Sequence, residues 1–258
     1  MRILRETLDR VFRLLGYRLI AEEDLQRLLD LESFSKSETS LSRHLREVIS
    51  IHGIDCVFDV GANEGQFYTF LREEVSYEGW IVSFEPLPDL AGSLKKRSES
   101  DDRWKVMPLT LSSRSENALL RRTEESVFSS LHSASDEQPE KYREANRTIE
   151  TIAVETHTLD ALWPGLKDQL EVSRLLLKMD TQGHDLEVFA GARESLEDIP
   201  ALLSELSFSP IYENSDSYRE ALSIFERAGY VPSVFSPVSF GDGHAAIEMD
   251  GLFVRRKE

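Results

Sequence analysis

Apolar residues recur at spacings of three and four over the first twenty positions, where Ile3, Leu4, Leu8, Val11, Phe12, Leu15 and Leu19 form one stripe. That period predicts an amphipathic helix, which Gly16 breaks or caps. A second helical pattern covers residues 22–31, and the serine-rich residues 33–42 read as a connection. The pattern then changes. A helix over residues 42–50 leads into a β-branched and aromatic run, residues 54–60, that stops at Gly61, as a strand buried on both faces should. Residues 66–74 have the make-up of a crossover helix and residues 80–84 form the next strand, so 54–85 reads as a βαβ unit. Further helices are predicted at 90–97, 185–195 and 217–228, and further strands at 104–111, 117–122, 148–154, 174–179, 201–208, 230–235 and 248–254. Residues 123–147 are polar, have few apolar anchors and read as a mobile loop. This alternation builds an open, mostly parallel α/β sheet whose ligands lie beyond the carboxyl ends of the strands.

Composition narrows the picture. A chain of 258 residues, 40% of them hydrophobic, can bury a core without staples. The single cysteine, Cys56, excludes a disulfide framework and a cysteine-built zinc site, and suits a reducing, cytoplasmic setting. A net charge of −17 repels phosphate backbones and disfavours general nucleic-acid binding. No apolar run approaches the roughly 18 residues of a membrane span, and arginines interrupt the first twenty residues where a signal peptide would be apolar. Those residues carry Arg2, Arg5, Arg10, Arg13 and Arg18 against Glu6 and Asp9. A basic helix of this kind suits peripheral contact with an anionic membrane, but packing on an acidic body or a second subunit is preferred. The expected organisation is a helical extension and connection over residues 1–40 and one main domain over 41–258, with a homodimer left open.

The sharpest local signal is Asp59-Val60-Gly61-Ala62-Asn63-Glu64-Gly65, directly after the first predicted strand. Gly61 permits a sharp strand-to-helix turn and a close approach to backbone, and Gly65 leaves room for helix packing. A dinucleotide site would want glycine where Asn63 stands, which argues against NAD. Asp59 at this turn would repel a pyrophosphate and favour a cationic or amino-bearing ligand. Glu85 closes the second strand, where a carboxylate can accept from both hydroxyls of a ribose, and Pro86 directs the chain away.

Residues 58–66, the Phe84-Glu85-Pro86 turn and above all Leu177-Lys178-Met179-Asp180-Thr181-Gln182-Gly183-His184-Asp185-Leu186-Glu187 resemble the FkbM family of S-adenosylmethionine (SAM)-dependent methyltransferases. That family has a Lys-hydrophobic-Asp-x-x-Gly-x-Glu pattern in the third segment, where this chain carries Asp185 in place of the Glu. The resemblance covers roughly residues 50–255. It implies a class I methyltransferase (Rossmann-like) fold, a seven-stranded mostly parallel sheet with an antiparallel last strand, and O-methylation of a sugar, glycan precursor, polyketide or related hydroxyl compound. By the same resemblance Asp59, Gly61, Ala62, Asn63 and Gly65 line the methionine portion of SAM, Glu85 and Pro86 the ribose, and Thr110, Leu111 and Ser112 the adenine.

An alcohol acceptor needs help losing its proton, and His184 and Asp180 are the candidate bases. Asp180 has competing roles as a helix cap or as the partner of the cofactor amino group. His132 and His157 are secondary candidates. Ser126, Ser129 and Ser130 are candidate contacts to cofactor or acceptor; without a Gly-x-Ser-x-Gly elbow they are not hydrolase nucleophiles. Asp180, Asp185 and Glu205 would suit Mg²⁺ if they converged, an arrangement not favoured over Glu205 as an acceptor contact. N-methylation, a non-catalytic nucleoside-binding scaffold and an NAD oxidoreductase are the alternative functions.

Overall fold

The computed structural model describes residues 39–256. The expectations for residues 1–38 lie outside the described residues. Helix α1 (Ser40–His52) starts two residues earlier than the pattern predicts and buries Leu41, Leu45 and Val48, one apolar stripe. Strands β1 (Cys56–Val60), β2 (Trp80–Phe84) and β7 (Leu175–Met179) are almost wholly apolar because both faces of their sheet are covered. Phe58, Val60, Leu177 and Met179 turn to one core layer, with Trp163, Phe189 and Phe225. Val57, Ile81 and Leu176 turn to the other, with Leu45, Leu71 and Leu94.

The main sheet adds β3 (Trp104–Met107), β8 (Ala201–Ser207), β9 (Tyr230–Phe240) and β10 (Ala246–Arg255) in the order β3-β2-β1-β7-β8-β10-β9. The first five strands run parallel and β10, last in the chain, runs antiparallel to both its neighbours. This is the seven-stranded sheet that the resemblance implies. Strand order reverses between β1 and β7, so the crevice lies at their carboxyl ends. Pro232 and Pro237 fall within β9, which the sheet tolerates because β9 is an edge. Helices α2 (Gln66–Glu73), α3 (Pro88–Ser98), α5 (Asp185–Ala190) and α6 (Tyr218–Arg227) fall where helices were predicted, α5 ending five residues early.

Three expectations need correction. The strand predicted over 104–111 is two strands: Pro108 has no N–H with which to continue a ladder, and β4 (Thr110–Leu111) leaves for a second, three-stranded sheet. There it pairs with β6 (Thr148–His157), which is longer than predicted because Thr156 and His157 face Thr110 and Leu111; β5 (Asn117–Thr123) flanks β6 on the other side. Helix α4 (Leu159–Leu170) was not predicted, although the Thr158 hydroxyl caps it and Leu159, Trp163, Leu166 and Leu170 form its buried stripe; Pro164 and Gly165 inside it mask the pattern. Residues 123–147 are not loosely attached. Two 3-10 turns, Ser126–Phe128 and Glu140–Tyr142, break the segment, and polar anchors hold it: Ser130 exchanges backbone hydrogen bonds with Arg121, Ser135 N–H donates to Ile211, and Lys141 Nζ donates to Phe240 O. Among the described residues no helix is long and apolar enough to cross a membrane.

Candidate active site

The chain turns sharply after β1. Gly61 and Ala62 N–H both donate to Phe84 O, tying the turn to the end of β2. Gly61 has φ +80°, and a Cβ there would stand 1.9 Å from Asp180 O, so the bare backbone serves the approach of β1 to the end of β7. Asn63 also adopts positive φ, and its N–H donates to Glu85 Oε2 at 2.8 Å. Gly65, at φ +80°, caps α2, and a Cβ there would come 2.8 Å from Leu94 Cδ2 on α3. The helix-packing role expected of Gly65 is therefore its position in the fold. It stands behind the cavity wall.

Glu85 joins two turns, since its Oε1 accepts from Leu87 N–H at 2.8 Å while Oε2 holds Asn63. Burial pushes its carboxyl up to about 7, against the downward pull of those two N–H donors. Beyond these turns lies a cavity of about 530 Å³. Gly61, Ala62, Asn63, Glu85, Pro86, Thr110 and Leu111 line it on one side. Asp180, Gln182, His184, Glu205, Glu248 and Asp250 line it at the ends of the neighbouring strands, and residues 126–131, Ser129 and Ser130 among them, complete the lining. Thr110 Oγ1 is buried and has no hydrogen-bond partner among the described residues.

Asp59 does not face this cavity. It is fully buried, and Lys178 Nζ lies 2.8 Å from its Oδ1, with Gly61 O at 3.2 Å and Asp180 Oδ2 at 3.4 Å from the same ammonium. Burial pulls the Lys178 pKa down, but Asp59 and Asp180 push it up further, and the net direction is up. The negative charge read from Asp59 is thus neutralised inside the protein. Lys178, not singled out as a site residue by sequence reasoning, both holds Asp59 and reaches the cavity wall. A lysine inside an otherwise apolar strand is the signal that could have found it, because a buried ammonium requires a carboxylate.

The carboxyl-rich end is organised by Gln182, at positive φ. Its Nε2 donates to Asp180 Oδ1 at 2.9 Å and Glu205 Oε2 at 3.1 Å, and its Oε1 accepts from Tyr212 OH at 2.7 Å. Burial raises Glu205 well above the ordinary range, and Asp180 and Glu248 raise it further. Burial also raises Glu248, offset by Ser239 Oγ, which donates at 2.9 Å. Asp250 is pushed up to about 7 by burial and then Asp180, with Lys178 opposing. The Mg²⁺ arrangement of Asp180, Asp185 and Glu205, not favoured from the sequence, finds both oxygens of Asp185 engaged. Its Oδ1 takes Thr181 N–H and Oγ1, and its Oδ2 takes Ser204 Oγ and Glu205 N–H, so both oxygens serve the turn.

His184 lies on the wall just before α5, but both ring nitrogens are engaged. Nε2 is 2.9 Å from Ser112 Oγ and Nδ1 is 3.1 Å from His132 Nε2. Burial, then His132, brings its pKa down to about 4. Ser112, expected near an adenine, sits off the cavity wall and holds His184 instead. Ser130 Oγ donates to Gln182 O, Ser126 Oγ donates to Asn63 Oδ1, and Ser129 Oγ accepts from Thr123 N–H at 3.3 Å. His157 pairs with Leu111 between β6 and β4.

Among curated proteins none matches this chain. Three solved structures are similar to it. Methyltransferase FkbM from Methylobacillus flagellatus KT is 13% identical, with 77% of this chain and 43% of that one covered and a TM-score of 0.45. A SAM dependent methyltransferase from Aquifex aeolicus is 14% identical, with 86% and 96% covered and a TM-score of 0.39. Magnesium protoporphyrin IX methyltransferase from Synechocystis PCC 6803, solved with SAM bound, is 8% identical, with 84% and 81% covered and a TM-score of 0.42. The chain therefore spans less than half the length of the Methylobacillus protein. The sequence itself carries the assignment: residues 59–232, which run from Asp59 into β9 and take in both the glycine turn and the Lys178 segment, match the methyltransferase FkbM domain, and the chain belongs to that family.

Proposed function

We propose that this chain transfers a methyl group from SAM to a hydroxyl oxygen of a sugar, glycan precursor, polyketide or related small molecule. The observation that carries the reading is one cavity with a glycine turn and Glu85 on one side and a carboxyl-lined end on the other. The residues suit SAM. Each Glu85 oxygen spends one lone pair on a backbone N–H, leaving capacity for two ribose hydroxyls. The partnerless Thr110 Oγ1 is a polar complement for a base edge, and Leu109, Leu111 and Val127 give apolar wall for a flat ring. Asp180, its side chain 38% exposed, supplies negative charge for a cationic centre.

When bound, SAM supplies an electrophilic methyl on its sulfonium, so the protein's task is alignment and exclusion of water. Orientation alone is worth roughly 7–11 kcal/mol in favourable cases. Residues 126–131 add wall to the cavity, and Glu205, Glu248 and Asp250 offer carboxyl groups to hydroxyls of the acceptor. Asp180 takes the proton of the reacting hydroxyl, because it has exposed carboxylate surface where His184 has both nitrogens committed. The same carboxyls suit an amine, which makes N-methylation the second reading.

Calorimetry with SAM and NAD, followed by incubation with labelled SAM and a panel of hydroxylated and amino acceptors, tests this. The expected result is one equivalent of SAM bound, no NAD bound, and label on a hydroxyl. Label on nitrogen instead selects the second reading. Uptake of SAM without transfer to any acceptor supports a non-catalytic binding module, and absence of SAM uptake overturns the proposal.

A further inference from the structure

Behind the His184 side of the cavity wall lies a second cluster that methyl transfer does not use. His132, His184 and Glu187 each present one ligand-type atom, and these atoms lie within 4.8 Å of one another. His184 Nδ1 stands 3.1 Å from His132 Nε2 and 3.7 Å from Glu187 Oε2. Two ligands on a tetrahedral zinc ion are separated by about 3.3 Å, given metal–nitrogen distances of about 2.0–2.1 Å. The two measured separations bracket that edge.

The surroundings are those of a supported ligand set. Ser112 Oγ, 2.9 Å from His184 Nε2, can accept from it and leave the Nδ1 lone pair facing the cluster. The backbone N–H of His132 donates to Ser130 Oγ, which fixes the chain at that residue. Glu187 Oε2 is buried without a hydrogen-bond partner among the described residues, an uncompensated acceptor where a cation would compensate it. The Glu187 side chain as a whole is 33% exposed, so the cluster lies near the surface. Asp216 adds negative charge within electrostatic reach of both His132 and Glu187, and Arg121 opposes it at His132.

We propose that His132, His184 and Glu187 bind a divalent ion of the zinc class, with a fourth position open to water. Two imidazoles and one carboxylate select zinc, cobalt or nickel over magnesium and calcium, which prefer oxygen. His132 and Glu187 are not on the cavity wall, so the ion stays behind the wall and away from the reacting atoms. Its effect is to clamp residues 123–147, which carry part of the cavity wall, onto α5. This proposal is independent of the identity of the methyl donor.

The test uses the full chain stripped with a chelator and titrated with Zn²⁺ against a chromophoric competitor, and in parallel with Co²⁺ followed by visible absorption. One equivalent is expected to bind, with the intense cobalt bands of a four-coordinate site. His132→Asn and Glu187→Gln should each weaken zinc at least about tenfold, with melting temperatures in chelator equal to that of the stripped parent. The cobalt spectrum of the unaltered chain decides the matter if a variant fails to fold. Absence of stoichiometric uptake, six-coordinate cobalt bands, or unchanged affinity in both variants would overturn the proposal.

Discussion

Asp59 and Lys178 stand directly opposite each other on neighbouring parallel strands, with 2.8 Å between Oδ1 and Nζ, at the only polar position of each strand. Both side chains are almost wholly removed from water. A buried pair of this kind contributes little net stability, but losing one partner strands the other charge.

Lys178→Met should therefore cost about 3–5 kcal/mol in urea unfolding, since Asp59 would keep only the Ser83 hydroxyl at 3.4 Å. The double variant Asp59→Asn with Lys178→Met should recover part of that loss. A single variant with an unchanged urea midpoint would mean that water or another cation reaches Asp59.

Gly61→Ala should be more damaging than its size suggests. A methyl group there meets a backbone carbonyl at 1.9 Å, and the left-handed φ adds about 1–2 kcal/mol for any L side chain. Gly92→Ala is the control. Gly92 lies inside α3, a Cβ there meets nothing within 4 Å, and the substitution should stabilise by about 0.5–1 kcal/mol. Thermal melts of the two variants should move in opposite directions.

The contrast follows how the chain could be read. The βαβ unit was legible because β1 and β2 are apolar at every position but one, Asp59 and Ser83, and the first ends at a glycine, so pattern and turn agree. Helix α4 was not, because Pro164 interrupts an otherwise regular stripe. The break at Pro108 was legible in principle, as a residue without an N–H inside a proposed strand. Local pattern could not give the orientation of Asp59, which depends on a partner 119 residues away on a strand whose neighbours only the topology fixes. Nor could it give the part of the cavity wall that residues 126–131 supply. Residues 123–147 are held by buried Thr123, Ser130, Ser135 and Asn146, whose polarity resembles that of a solvated loop until their partners are known.

Thr110→Val separates a structural from a ligand-binding role for a buried hydroxyl. Removing a polar atom that has no partner should leave the ligand-free protein as stable as before, or more stable by about 1 kcal/mol. SAM affinity should fall several-fold, because the hydroxyl's partner would be the ligand. Melting curves with and without SAM give both quantities, and a loss of stability without ligand would show that the hydroxyl is already satisfied.

The carboxyl-lined end makes stability depend on pH in a direction opposite to ordinary salt-bridged acids. Asp250 has its pKa raised from 3.8 to about 7, burial being the main cause, so the folded state holds a proton that the unfolded chain releases. Its contribution is fully present below about pH 4 and is lost as pH rises through 7. Glu85, Glu205 and Glu248 act in the same sense, whereas His132 and His184, whose pKa values are lowered, lose stability as pH falls below their ordinary value of 6.5. Comparing one variant with its parent cancels the groups that do not interact with Asp250, His132 and His184 among them. Asp250→Asn keeps the shape and removes the ionisation, so it should stabilise the protein on the order of 1–3 kcal/mol at pH 8. The gain should shrink steadily between pH 7 and pH 4. Urea midpoints of parent and variant across that range provide the measurement, and a gain that stayed constant with pH would mean that Asp250 ionises in the folded protein as it does in water.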